Sequence, residues 1–415
     1  MGKAVRVRCC RSCGHTNLVP VLDLGRTPLA DRLAAPEDPP EADRTEPLAV
    51  VICSDCGLVQ LTVTVPPDDL FGQGYPYYSS VSPALRAHFA STATALAGRY
   101  GLQRHARVVE IASNDGAMLR HLAARGLAVL GIDPSPGPAS VARDVGVPTL
   151  DAYFDAALAR RLVEEGWSAD LIYAANVLAH VPDPGDFVTG VAQLLAPGGR
   201  AVFEVGYLGD LVGGLAFDMI YHQHLCYFSL TSLEALLIRY GLRILDVERL
   251  TTQGGSLRVH AGSDGAPSEA VAALRIEERR CGLVGGPVLA RFAAAVHTLR
   301  DRLNALLAKL IADGASIAAY GAAAKATTLL AYCGIDDRTI AFVADLNPHK
   351  WGRRLGGSRL PIVPPARLVE AMPSHVLLLA WNFAEEILAQ QAEYRRRGGR
   401  FIVPLPVPRV IGLDA

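Results

Sequence analysis

The sequence predicts an α/β protein with two doubly wound units behind a small metal-stapled module, and three observations carry that prediction. From about residue 80 to 260, short apolar runs of strand length (RVVEIAS, LAVLGID, DLIYAAN and RAVFEV) alternate with helical segments such as MLRHLAARG. The alternation restarts at SIAAYGAAAK and continues through IAFVADLNP, HVLLLAWN and RFIVPLP, which implies parallel sheets flanked by helices. Five of the eight cysteines lie within the first 56 residues. At 415 residues the chain exceeds one ordinary core, because domains settle at about 100 to 200 residues. The expected division is a metal-binding domain over 1–75, a cofactor-binding domain over 76–265, and a helical connector with a second α/β domain over 266–415.

Composition narrows function by exclusion. Lys and Arg number 40 against 41 Asp and Glu, and half the residues are hydrophobic. Neither the field of a nucleic-acid binder nor the polarity of a disordered chain is present. No apolar stretch approaches the roughly 20 residues that span a bilayer, and MGKAVRVRCC lacks a secretory core. A cytoplasmic enzyme with no membrane or nucleic-acid partner is expected.

In chain order, Cys10-Arg11-Ser12-Cys13 and Cys53-Ser54-Asp55-Cys56 come first, as two CxxC pairs. Thiolates at that spacing converge on a tetrahedral ion about 2.3 Å from each sulfur. Gly14 and Gly57 follow the pairs and supply the positive φ that such knuckles commonly need. The 39 intervening residues add only a logarithmic closure cost. Zinc is the expected metal, with Cys9 competing with Cys10 for one position. Four thiolates leave no coordination site for substrate. A redox CxxC would need a thioredoxin-like βαβ setting, which is missing around both pairs.

Tyr75, Tyr77 and Tyr78 then crowd one turn of GYPYYSS, and at least one should cover cofactor or substrate. Where the first strand runs into its helix stand Glu110, Ala112, Ser113, Asn114, Asp115 and Gly116. Small residues there let backbone amides approach a ligand, while Glu110 opposes a pyrophosphate and suits a cationic methionine moiety. Asp133, 23 residues after Glu110 and followed by Pro134, is placed to accept from both ribose hydroxyls. Together these read as an S-adenosylmethionine (SAM) site, joined by Tyr77 and by Asn176 at the end of a third strand. His180 faces the same crevice.

The densest polar run is Tyr221-His222-Gln223-His224, bracketed by large apolar residues. It makes an active-site wall: an imidazole removes a proton near neutral pH, and a tyrosine or second histidine holds charge on oxygen. HxH without an adjacent carboxylate or third histidine is a poor metal site. In the last unit, Tyr320 and Lys325 bracket the small-residue turn GAAA at a helix start, an anion site suited to pyrophosphate. Asn347, His349, Lys350 and Arg353 follow the next strand, and Trp381 and Asn382 the third. Ser256 and Arg258 of GGSLR either reach that cleft or form a plain turn. GAAAK holds a single glycine, which weighs against a nicotinamide site.

The two knuckles, YxYYSS, ExxSNDG, NVLAHVPD, FEVxYLxDL, YHxHxxYFS, GGSLR, YGAxAK and ADLNPxKWGR stand in the order found in the deoxysugar C-methyltransferases of antibiotic biosynthesis. The chain resembles that family over essentially its whole length. The resemblance implies a Rossmann-like SAM-dependent methyltransferase domain with an N-terminal zinc module and a second C-terminal Rossmann-like domain. It implies methylation at C-3 of a TDP-linked 4-keto-6-deoxyhexose, with His224 as general base through an enolate. Tyr221, His180 and Tyr75 match the residues around the keto oxygen, and the C-terminal residues match the TDP site. Gln223 departs from the family's glutamate, which should lower the pKa of His224. The alternative is an added NADPH-dependent reduction of the 4-keto group. A monomer or weak homodimer is expected.

Overall fold

The computed structural model describes residues 2–39, 43–71, 76–285 and 287–412; Tyr75 lies outside them. The N-terminal module is a four-stranded sheet. Leu18–Pro28 and Thr45–Cys53 pair antiparallel, Val59–Leu61 follows, and Cys226–Tyr227 arrives from the middle of the chain as the edge strand. The sequence hides this sheet because register shifts at Pro20/Leu22 and Asp23/Arg26 interrupt the two-residue alternation.

The second sheet has the order Arg243–Leu250, Ser256–Gly262, Leu195–Gly206, Ala169–Ala175, Arg107–Ile111, Ala128–Ile132, Thr149–Leu150. It is not all parallel as expected. Ser256–Gly262 runs antiparallel to both neighbours, because Gly254 and Gly255, at φ 84° and 113°, reverse the chain. The strand order turns back between Arg107–Ile111 and Ala169–Ala175, and such a switch opens a ligand crevice at the strands' carboxyl ends. Val108, Val109, Leu171 and Ile172 are wholly buried, as central parallel strands covered on both faces must be.

The C-terminal sheet repeats the plan in the order Ile362–Val363, Val343–Ala344, Ile317–Tyr320, His375–Leu378, Arg400–Val403, Arg409–Ile411, with only the last strand antiparallel. Its switch lies between Ile317–Tyr320 and His375–Leu378. Helices Glu269–Cys281 and Val288–Ala312 connect the two. Buried Glu278 accepts from the backbone N–H of Leu230 and Thr231 (2.6 and 2.9 Å), fastening the connector to the start of helix Leu230–Arg239. One apolar core runs through all three units, from Leu22 through Phe203 to Leu377. Among the described residues no helix is long and apolar enough to cross a membrane.

Candidate active site

Two knuckles with the same bonding hold the cysteines. In each, the first cysteine's N–H donates to the carbonyl five residues on, Cys10 to His15 (2.8 Å) and Cys53 to Leu58 (2.9 Å). Its carbonyl accepts from the following glycine, Gly14 or Gly57, both at 2.9 Å. These glycines take φ 76° and 74°, the conformation their positions were expected to need. The sulfurs of Cys10, Cys13, Cys53 and Cys56 lie within 4.8 Å of one another, a donor set that fits a tetrahedral thiophilic ion. Cys9 is exposed and outside the cluster.

A cavity of about 390 Å³ opens at the carboxyl ends of Arg107–Ile111 and Ala128–Ile132, lined by Tyr77, Ala112, Asn114, Asp133, Pro134 and Asn176. Ala112, Asn114 and Asn176 take φ 59°, 49° and 54°, left-handed conformations that non-glycine residues hold only where surroundings impose them. Each oxygen of Asp133 already accepts a backbone N–H, from Asn114 and Ser135 (both 2.8 Å). The carboxylate therefore shapes the turn, and its remaining lone pairs face the cavity. Burial raises its pKa.

Four residues expected at the cofactor stand behind the wall instead. Asp115 accepts from Ser80 N (3.0 Å) and Asn114 Oδ1 from Ser79 N (2.8 Å), so the turn grips the tyrosine loop. Ser113 packs its hydroxyl against Gly131, and Gly116, at φ 72°, lies against Ala142 and Val147. Glu110 is buried, and burial followed by Asp115 and Asp133 pushes its carboxyl well above the usual range. It does not line the cavity and is no ready counter-charge for a sulfonium. Tyr153, Phe154 and Asp155 do line it, and sequence reasoning missed them. Their signal was an aromatic pair ahead of an aspartate that caps helix Ala156–Glu164 through Leu158 N (2.7 Å).

A second cavity, of about 330 Å³, meets the first at Tyr77, Asn176 and His180, which line both. Tyr221, Gln223 and His224 form its wall. His224 Nδ1 donates to the Met219 carbonyl (2.9 Å), which can only accept, so Nε2 carries the lone pair and accepts from Tyr221 Oη (2.7 Å). The His180 ring stands perpendicular to His224 at 4.8 Å. Burial lowers the pKa of His224 to about 4, against the Met219 carbonyl. Burial, then His224, takes His180 well below the usual histidine value. The low value at His224 thus comes from desolvation, and the glutamine at 223 is not needed to explain it. Gln223 Nε2, Tyr227 Oη and His180 Nδ1 are buried without partners among the described residues.

Tyr320, Lys325, Asn347, Lys350 and Asn382 close the far end. Lys325 Nζ bonds Asn382 Oδ1 and sits 4.2 Å over the Trp381 ring. Burial lowers it to about 8, opposed by Asp218. Trp381 holds that ring in place by donating to Asp218 Oδ2 (2.7 Å), without itself lining the cavity. Lys350 donates to the Ala322 carbonyl (2.7 Å) and faces Asp31 at 3.6 Å. Four further residues expected at the substrate do not line this cavity. Arg353 is exposed on the turn after Lys350, and His349 stacks on Tyr78 outside the cavity (4.7 Å). Arg258 is satisfied by Glu204 (2.8 Å) and Thr92 (2.6 Å), and Ser256 by Thr252 O (3.1 Å). GGSLR turns at its glycines and runs into the strand Ser256–Gly262; Gly254 and Gly255 line the cavity through their backbone. Asp31, Asp345 and Glu386 were missed.

A methyltransferase domain model matches residues 84–247, a C-methyltransferase C-terminal domain model 251–406, and a zinc-binding domain model 10–71. The chain is 39% identical to C-methyltransferase NovU of Streptomyces niveus over 409 residues, 98% of this chain and 97% of that protein. It belongs to the C-methyltransferase family. This C-methyltransferase is SAM-dependent, and its Rossmann-like middle domain is the one its motifs resemble. A ubiquinone biosynthesis O-methyltransferase of Hahella chejuensis is 31% identical over 122 residues, 29% of the C-methyltransferase chain and 48% of its own. The PH0226 protein of Pyrococcus horikoshii overlays at TM-score 0.37 and 17% identity, over 46% of this chain and 96% of that one; the fold assignment rests on strand order instead.

Proposed function

We propose that this C-methyltransferase methylates C-3 of a TDP-linked 4-keto-6-deoxyhexose, with His224 as general base. The observation that carries the reading is the meeting of the two cavities at Tyr77, Asn176 and His180, beside an imidazole whose Nε2 is unprotonated. Aromatic Tyr153 and Phe154 with Asp133 fit an adenosine, and bound SAM supplies an electrophilic methyl. A keto oxygen in the second cavity competes for the Tyr221 hydroxyl and frees His224 Nε2 to take the proton from the adjacent carbon. Tyr221 then holds the enolate charge, in a site whose burial strengthens each hydrogen bond. Buried Gln223 Nε2 and Tyr227 Oη lack partners among the described residues, a state that a polar sugar relieves. Lys325, at the start of the helix Ala324–Cys333, meets the diphosphate. Cys10, Cys13, Cys53 and Cys56 hold zinc in a purely structural role.

The test is incubation of the holoenzyme with methyl-labelled SAM and a TDP-4-keto-6-deoxyhexose. Label on C-3 of the sugar is expected; an unlabelled sugar overturns the reading. The added ketoreductase activity has no residue cluster in its favour among the described residues.

A further inference from the structure

The metal module reaches the backbone two residues beyond each of the two facing histidines, at Pro182 and at Cys226. Arg11 lies inside the first knuckle without being a ligand. Its backbone N–H donates to Gln60 Oε1 (2.7 Å), and Gln60 Nε2 donates to the Cys9 carbonyl (3.0 Å). Gln60 pairs across the sheet with Cys226, two residues after His224. The Arg11 guanidinium spreads over three neutral acceptors: Thr64 Oγ1 (2.7 Å), Val63 O (3.1 Å) and Pro182 O (3.3 Å). Pro182 follows His180 by two residues and lines the cofactor cavity. Leu225 N donates to the Ala179 carbonyl (2.7 Å), tying the backbone next to His224 to the backbone next to His180.

We propose that Arg11 is a positioning residue for methyl transfer. Its planar fork ties the Pro182 carbonyl of the His180 loop to Val63 and Thr64, while its backbone, through Gln60, meets the strand Cys226–Tyr227 that follows His224, so the metal knuckle sets how the two rings face each other. The rigidity of the fork matters here, because bonds to neutral oxygens from one planar group fix direction, which a lysine's single rotatable head cannot do. The proposal rests on His224 and His180 acting together, as in the proposed function. Misplacement of reacting groups by about 1 Å costs up to about a hundredfold in rate, so the effect is measurable.

Arg11→Ala leaves all four thiolates in place. We expect full metal content by mass spectrometry, SAM affinity and sugar KM within about threefold, and kcat lowered roughly tenfold to a hundredfold. Added guanidinium ion should restore part of kcat, and Arg11→Lys should fall between. In ligand-free holoenzyme labelled with ¹⁵N-histidine, the His180 and His224 resonances should move in Arg11→Ala while those of distant His297 stay. Unmoved His180 and His224 resonances, or a loss confined to KM, overturn the proposal. If Arg11→Ala sheds its metal, Thr64→Val removes the shortest guanidinium bond away from the knuckle, and the same two resonances must move. If the wild-type enzyme transfers no methyl group, the substrate reading falls, and the histidine spectra still judge Arg11.

Discussion

The two α/β domains use one backbone device at sites of opposite electrostatic character. Asp133 ends the second strand of its unit and accepts from Asn114 N in the first turn and from Ser135 N two residues on, both at 2.8 Å. Asp345 does the same in the C-terminal domain, with Ala322 N at 2.6 Å and Asn347 N at 2.7 Å. Each carboxylate staples the first turn to the second and keeps the crevice open. The surroundings differ: among the described residues the first staple's cavity is lined by Asp155, Asp183 and Asp186 and by no Lys or Arg, whereas Lys325 and Lys350 line the second staple's cavity alongside Asp31 and Glu386. The turn geometry admits a ligand close to the backbone, and the flanking charge selects its sign. On the proposed function a cationic sulfonium enters the first and a diphosphate the second.

The largest effect is expected where the two sites meet. His224→Ala should lower methyl transfer by about 10² to 10⁴, the usual contribution of a general base. Calorimetry should find SAM binding unchanged, since His224 lines the substrate cavity alone. Turnover near the wild-type rate would assign the proton to another group and separate the two domains functionally.

The staples themselves allow a reciprocal test. Asp133→Asn exchanges two charge-assisted bonds for one acceptor and a misplaced donor, at about 1.5 to 3 kcal/mol. SAM affinity should fall roughly tenfold to a hundredfold, with TDP affinity held within about twofold; Asp345→Asn should do the reverse. If either variant weakens both ligands equally, the domains are coupled and the comparison breaks.

The two lysines sharpen it further. Lys325→Ala should weaken TDP binding about tenfold, because this cation is buried and offset only in part by Asp218. Lys350→Ala should cost about two- to threefold, since Asp31 already faces that charge at 3.6 Å. Titration of TDP into each variant measures both, and a reversed order would place the diphosphate at Lys350.

The same comparison explains what the sequence made legible. The clustering of Cys10 and Cys13 and the placement of Asp133 and Lys325 at cavities were readable because local geometry fixes where such residues lie: a ligand turn, a strand end, a helix start. Arg258 lies away from the cavity because a charged residue's partner is not local; Glu204 reaches Arg258 across adjacent strands. The pairing of Cys226 with Gln60 was invisible for the same reason. It joins the His224 segment to a sheet whose own alternation is broken. The low pKa of His224 was not legible, because burial is a property of the packed core, and burial sets the titration.

That last point yields the smallest predicted effect. A histidine of ordinary pKa, about 6.5, used as a base loses about tenfold in active form by pH 5.5. With its pKa lowered to about 4 by burial, His224 stays unprotonated across that range, and protonation removes the base only as pH falls through about 4. The kcat of the wild-type enzyme should therefore be nearly flat from pH 7 to about 5.5. Gln223→Glu places a carboxylate next to the imidazole in the chain and within the same wall. A nearby negative charge favours the imidazolium, so the acid limb should move to higher pH in the variant. A wild-type limb already near 6.5 would mean that water reaches His224 in the working complex, and the two cavities would then no longer form one dry junction.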